Sequence, residues 1–413
     1  MSCSASCRLL LLLALSATTT TQTAVALSVS CRSSSRPEVG SIQHLEAGEP
    51  WDVAEYYAAG PKPLLITRAL SKAECEMCAE SLVSMQETAA VELQEQKQGA
   101  TVQIYDTSLQ DALDAILFES SAASVDSSSY LAFCEGLLQQ LDDATSALLQ
   151  EMTNRARDRM WQEDDTDWFA SYFPPTVRPT DAVVFAGIGA TSTLHRDPFE
   201  WMGTSLCLEG SKLWRFVDPT NSSVQDIDEL LESYRLPSIA WGEESSSTSF
   251  SAGWQSDKSL FRLRCPERMP TAESLDATDD ASKRKLFEEI VFSNDVVSRD
   301  DSIPPTTTVS TVIQHTGDLL LIPPHWWHQT IALEPSAAIA SQRCGSYDAP
   351  LVLQHMLDWC QVPRAEHPDT IMEHLPPPPP PQPTVVVDKV LALCAAAMKT
   401  TPGSSNCKPR ARN

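Results

Sequence analysis

Gly317-Asp318-Leu319-Leu320-Leu321-Ile322-Pro323-Pro324-His325-Trp326-Trp327-His328 is the stretch on which the fold turns. It follows a turn at His315-Thr316-Gly317-Asp318, and its four apolar residues read as a buried strand. The double proline interrupts that strand, so the next one begins beyond Pro324. Working outward, the same texture recurs. Asp181–Gly189 is apolar and ends in glycines, and Ser336–Ser341 is another apolar strand. Ser205–Gly210 and Lys212–Val217 read as a hairpin around a glycine turn. Short strands with glycine turns predict a sandwich or barrel such as a jelly roll, mainly β with α decorations. Gly187-Ile188-Gly189 lacks the third glycine and the following helix of a nucleotide fingerprint.

The chemistry-bearing residues lie on these strands. In His195-Arg196-Asp197, residues i and i+2 point to one face, so His195 and Asp197 converge and Arg196 points away. Pro198 then ends the strand. A third ligand must come from a neighbouring antiparallel strand, where His325 and His328 compete. An extended segment puts those two on opposite faces, and a strand that starts after the double proline favours His328. Two histidines and a carboxylate on a rigid β scaffold form the facial triad that binds iron(II) and leaves coordination positions open to O2.

The N-terminal third reads differently. Pro61–Arg68 is a short strand entered through proline. Ser71-Lys72-Ala73-Glu74 is a capping box, which predicts a helix over about 71–88 carrying Cys75 and Cys78 as ordinary buried cysteines. Residues 129–153 show helical spacing, so residues 49–180 are expected to be mixed and mostly helical. The jelly roll is expected over 181–350, with an acidic insertion at about 221–310 carrying helices at 226–234 and 281–292. Beyond it, residues 351–413 hold the polyproline spacer Pro376–Pro381, a helix over Val385–Met398 and a tail.

Composition excludes some functions. Among 413 residues, 55 acidic against 30 basic give a net charge of -25, which repels phosphate backbones and argues against nucleic-acid partners. A basic polypeptide partner is compatible with that charge. The 12 cysteines are too scattered for a disulfide scaffold. Arg8 precedes an apolar run at 9–15, and Ala24-Val25-Ala26 is a cleavage candidate, so residues 1–26 read as a signal peptide. Residues 27–48 are serine- and arginine-bearing at first, with no acid before Glu38. Two readings stand for them, a linker after a plain signal or the transit part of a bipartite presequence. The expected address is accordingly the secretory pathway, or a plastid or other organelle, rather than the nucleus. The apolar run is too short to span a bilayer, and no membrane span is expected in the mature chain. Asn221-Ser222-Ser223 is a glycosylation sequon.

With these residues in view, the chain resembles the JmjC and cupin-like hydroxylases, iron(II)- and 2-oxoglutarate-dependent oxygenases that act on protein side chains. Three stretches carry the resemblance, within about residues 50–345. Ser192-Thr193-Leu194-His195-Arg196-Asp197-Pro198 matches the family's Ser/Thr-x-x-His-x-Asp-Pro. Gly210-Ser211-Lys212 through Phe216-Val217-Asp218-Pro219 matches its Gly-x-Lys stretch. Gly317 through Ile322-Pro323 and Trp326-Trp327-His328 matches its last motif and selects His328 over His325.

The resemblance implies iron held by His195, Asp197 and His328. It implies 2-oxoglutarate held through its distal carboxylate by Lys212 and Ser192, with Thr204 a further candidate, and O2 as co-reactant. The product would be a hydroxylated protein or peptide side chain, with succinate and CO2. Lysine demethylation uses the same core and is one alternative; a non-catalytic cupin-like binding module is another. Four features depart from the pattern. The spacing between iron ligands is long, and the acidic insertion accounts for it. Gln342 stands where the family often has Asn, and Arg343 beside it is a second cation able to compete with Lys212. Phe199-Glu200-Trp201 replaces polar amides after the first motif. Trp201, Trp326 and Trp327 are candidate walls of the substrate side.

Overall fold

The computed structural model describes residues 39–400 with breaks, the longest at 120–127, 139–146, 155–165, 219–233, 236–253, 264–274, 299–308 and 369–382. The presequence reading, the sequon, the polyproline run and most of the acidic insertion lie outside the described residues.

The lead-in holds β1 (Val39–Gly40), β2 (Gln43–Glu46), α1 (Val53–Ala58), β3 (Leu64–Thr67) and α2 (Lys72–Val83). Next come β4 (Ala90–Lys97), β5 (Gln103–Ser108), α3 (Leu109–Asp114), β6 (Ser128–Glu135) and α4 (Trp168–Tyr172). The first motif region spans β7 (Ala182–Ala186), β8 (His195–Arg196), β9 (Met202–Glu209) and β10 (Ser211–Val217). Short pieces follow: β11 (Tyr234–Arg235), β12 (Trp254–Gln255), β13 (Arg262–Leu263), α5 (Asp280–Phe292) and β14 (Val297–Ser298). The chain closes with β15 (Val309–His315), β16 (Leu319–Ile322), β17 (Trp327–Ala332), β18 (Ser336–Arg343), α6 (Ala349–Trp359) and α7 (Pro383–Thr400).

Two large sheets face each other. The first runs β1-β15-β10-β17-β8-β12-β11 and the second β2-β3-β16-β9-β18-β7-β6-β4-β5. From β7 to β10, and again from β15 to β18, each strand lies in the opposite sheet from the one before it. That alternation is the double-stranded β-helix expected from the glycine-punctuated strands. Leu65, Leu320 and Ile322 of the second sheet meet Trp214, Phe216, Val312 and Trp326 from the first-sheet side to fill the interior. A larger apolar cluster covers the other face of the second sheet with α2 and α3, and a third joins α4, α6 and α7.

Three expectations need correction. β9 and β10 do not form a hairpin: they lie in different sheets, β9 between β16 and β18, and β10 between β15 and β17. Gly210 is therefore a corner between layers. Its φ of 78° and the Pro335 carbonyl, 2.2 Å from where a Cβ would stand, both require glycine. Second, residues 128–135 form β6, a strand between β4 and β7 in the second sheet, and among the described residues of 129–153 α-helix is found only from 147 onward. Ser129–Ala132 is buried on both faces, so the alternation that marks a strand is missing and an apolar run mimics a helix. Third, the described residues of the N-terminal region do not bear out a mostly helical segment: strands β3 to β6 extend the second sheet.

The capping box at the start of α2 forms as read. The Ser71 backbone N–H donates to Glu74 Oε2 at 2.7 Å, and the Glu74 N–H donates back to Ser71 Oγ at 3.4 Å. Burial pushes the thiols of Cys75 and Cys78 up, to about 12 and about 11, which makes them inert packing groups. Helices are also found over Asp280–Phe292 and Pro383–Thr400, as expected. Of the expected helix at 226–234 only Tyr234 is described, and it lies in β11. Among the described residues no helix is long and apolar enough to cross a membrane.

Candidate metal centre

β8 carries His195, Asp197 follows it directly, and β17 carries His328. The antiparallel register sets His195 opposite His328. Partners in such a ladder present their side chains to the same face, and the two imidazole centroids stand 4.2 Å apart. Ligand atoms of His195, Asp197 and His328 all lie within 4.8 Å of one another, the one group of three or more metal-capable side chains among the described residues. Asp197 Oδ1 is 3.9 Å from His195 Nε2 and 3.8 Å from His328 Nε2.

The backbone fixes how each imidazole is used. His195 Nδ1 lies 2.7 Å from the Thr193 carbonyl, and His328 Nδ1 lies 3.0 Å from the Trp326 carbonyl. A carbonyl only accepts, so each Nδ1 carries the proton and donates it. Each Nε2 is left with a lone pair aimed at the cluster, the arrangement that orients metal-binding histidines. Burial, reinforced by the neighbouring His195, holds His328 well below the ordinary imidazole range. It therefore stays neutral and able to ligate at physiological pH.

Gly203 completes the space for the carboxylate. A Cβ at this position of β9 would sit 2.4 Å from Asp197 Oδ2. His325 is not part of the group. Its backbone has φ 69°, and its ring lies 6.0 Å from that of His355. Arg196 points away as expected, with its guanidinium 5.8 Å from the Trp327 ring.

The register places the remaining candidates. Lys212, Trp214 and Phe216 of β10 pair with Ala332, Thr330 and His328 of β17. Alternation puts all six on the interior face, with Lys212 displaced along the strand from the metal-side end. Lys212 is buried, and burial lowers its affinity for the proton; among the described residues no hydrogen-bond or ion-pair partner offsets its ammonium. The Ser192 hydroxyl lies against β17 beside Thr330, accepting from the Thr330 N–H at 2.9 Å. Gln342 pairs with Gly203 and shares its interior face, and its buried Oε1 has no hydrogen-bond partner among the described residues.

Thr204 is turned the other way. It follows Gly203 on the strand, so it faces out, where its hydroxyl donates to the Ser341 carbonyl at 3.2 Å. The expectation that Thr204 touches a ligand near Lys212 does not fit this geometry. Arg343 likewise follows Gln342 and faces out, close enough to Tyr57 to act on its hydroxyl, so it does not compete with Lys212. Trp201, Trp326 and Trp327 each pack into separate apolar clusters, which makes them core.

Sequence reasoning missed Thr330, Gln314 and Gly203. Gln314 is fully buried on the interior face opposite Lys212. It takes the Trp214 indole N–H at 2.9 Å and donates to the Ser205 carbonyl at 2.6 Å. Nothing local marks these residues; only the pairing of distant strands does.

A two-sheet β-helix with a His-Asp-His cluster inside it defines a cupin-type architecture with a possible metal site. The cupin-like domain family matches residues 50–341, more than half of the chain, and the chain belongs to that family. Comparison with curated proteins gives no match.

Proposed function

We propose that this protein is an iron(II)- and 2-oxoglutarate-dependent dioxygenase that hydroxylates a protein or peptide side chain. One observation carries the reading. The triad shares an interior face with Lys212, a buried ammonium that has no counter-anion among the described residues. The residues present fit both groups. Two imidazole lone pairs and a carboxylate suit a divalent iron ion with open positions. A buried cation with no partner is costly unless an anion neutralises it, and the distal carboxylate of 2-oxoglutarate would do so.

With both bound, O2 reduction coupled to decarboxylation of 2-oxoglutarate to succinate and CO2 supplies the oxidant that inserts one oxygen atom into a substrate C–H bond. The chain's own residues do the rest. His195, Asp197 and His328 would hold the metal on one side and leave the other open. Lys212 and Ser192 would fix the cosubstrate's far end, and the carboxamide of Gln342 would face the same interior. Trp214 and Phe216, with ring centroids 6.0 and 6.1 Å from that of His328, keep water from its imidazole. The net charge of -25 supports a basic polypeptide as substrate. The acid-free N-terminal stretch supports delivery to the secretory route or to a plastid or other organelle.

The test is anaerobic calorimetry of 2-oxoglutarate binding with Mn(II) in place of iron. We expect binding that needs the metal and is lost in His195→Ala, His328→Ala and Lys212→Ala but kept in His325→Ala. Folded wild-type protein that takes up Mn(II) without 2-oxoglutarate would overturn the proposal.

A further inference from the structure

Resting on that reading, we infer that Thr330 is a positioning residue of the anion end of the site, acting through the Ser192 hydroxyl. Thr330 stands in β17 two residues after His328 and two before Ala332, the partner of Lys212. It therefore occupies the interior face between the triad and the buried ammonium.

The hydrogen bonds define what the pair can do. The Thr330 backbone N–H donates to Ser192 Oγ at 2.9 Å, and the Thr330 hydroxyl lies 3.3 Å from the same oxygen as its second donor. A serine oxygen has two lone pairs. With both filled, the Ser192 hydrogen is left as a donor with no acceptor inside the pair. Were the hydroxyl–hydroxyl bond to run the other way, the free hydrogen would belong to Thr330. In either case the pair offers one O–H donor, and in the first Ser192 keeps no free acceptor, which suits a carboxylate and repays little to a neutral group.

The segment bearing Ser192 does not need these hydroxyls to stay in place. Gln96 of β4 grips Thr191 with both ends of its amide: Nε2 donates to the Thr191 carbonyl at 2.7 Å, and Oε1 accepts the Thr191 N–H at 2.8 Å. The Ser192 N–H donates to the Thr330 carbonyl at 3.1 Å, and Gln329 Nε2 donates to the Ser192 carbonyl at 2.9 Å. Removing one hydroxyl should reorient the Ser192 hydrogen while the backbone holds.

Three variants test this in the full chain, with Mn(II) under anaerobic conditions: Thr330→Val, which keeps the shape and loses the hydroxyl, Thr330→Ser, which restores it, and Ser192→Ala. Calorimetry would compare 2-oxoglutarate with 2-oxobutanoate, which keeps the keto acid end and lacks the distal carboxylate. We expect Thr330→Val to weaken 2-oxoglutarate binding about tenfold, as the misdirection of one hydrogen bond to a charge would. The weak binding of 2-oxobutanoate should be unchanged, Ser192→Ala should match Thr330→Val, and Thr330→Ser should recover most of the loss. Equal weakening of both ligands, or no change for 2-oxoglutarate, overturns the role of Thr330 and leaves the dioxygenase reading standing. If wild-type protein binds Mn(II) and neither keto acid, the dioxygenase reading falls and takes this inference with it.

Discussion

The strand pair β9 and β18 has two faces with different polar chemistry. On the face turned toward the helices, Thr204, Tyr57 and Asp348 are bonded to protein, while the buried Ser341 Oγ shows no hydrogen-bond partner among the described residues. Thr204 donates to the Ser341 carbonyl, and the Tyr57 hydroxyl sits 2.7 and 2.8 Å from the two carboxylate oxygens of the buried Asp348. On the face turned toward the first sheet, the same two strands give Gly203, which makes room for Asp197, and Gln342, whose Oε1 is left over. Lys212 adds a cation with no neutralising partner among the described residues to that interior. One register step separates the two regimes. Partnered polar groups are architecture; buried groups without partners cost free energy until a ligand completes them. What sets the interior face apart is that its leftover groups lie beside the His-Asp-His cluster.

The largest break in this contrast should come from Gly203→Ala. Its new methyl would meet Asp197 Oδ2 at 2.4 Å and displace a ligand from the interior face without touching the partnered one. We expect Mn(II) affinity to fall by about 10- to 100-fold, the range for disturbed support of a metal ligand, with circular dichroism unchanged. Affinity equal to wild type would show that Asp197 can move at no cost.

A sharper test replaces Lys212 with Met. Removing a buried charge that lacks a partner should stabilise the metal-free protein by about 1 kcal/mol or more while abolishing 2-oxoglutarate binding. The sign with pH follows from the lowered proton affinity of Lys212. Below its depressed value the ammonium is charged in both folded and unfolded chains, so the full burial penalty stands. As pH rises through that value toward the ordinary 10.5, the folded chain sheds the proton and the penalty fades. The variant's advantage in urea melts should therefore be full below that depressed value and narrow as pH rises through it toward 10.5. A destabilised variant at neutral pH would mean that the ammonium has a partner of its own.

The smallest effect belongs to Thr204→Val on the opposite face. It should cost about 1 kcal/mol of stability through the lost bond to Ser341. Binding of 2-oxoglutarate in the presence of Mn(II) should not change. Loss of binding would return Thr204 to the site.

How much of this was legible in the chain depended on the distance over which the information acts. The convergence of His195 with Asp197 follows from a two-residue period, and the choice of His328 follows from where Pro323-Pro324 lets a strand begin. Both are local, and both agree with the geometry. The glycine at 210 correctly announced a reversal, but a turn does not say whether its strands pair or part into two layers. Tyr130-Leu131-Ala132 could not be told from a helix because burial on both faces erases the alternation. Thr330 and Gln96 were invisible for a third reason: their roles exist only once distant segments meet.

That last point bears on how the protein is made. Ser192 and Thr330 are 138 positions apart, and the histidines beside them close the same long loop. Pairings of such separation form late and slowly, because the entropy of closing the loop must be met before any contact repays it. A chain emerging from synthesis thus carries two ligands of the triad long before the third exists, and cannot hold a metal there. If the cluster holds the metal proposed above, metal capture would mark completed folding, and a metal bound only by the finished fold would draw the equilibrium toward it by mass action.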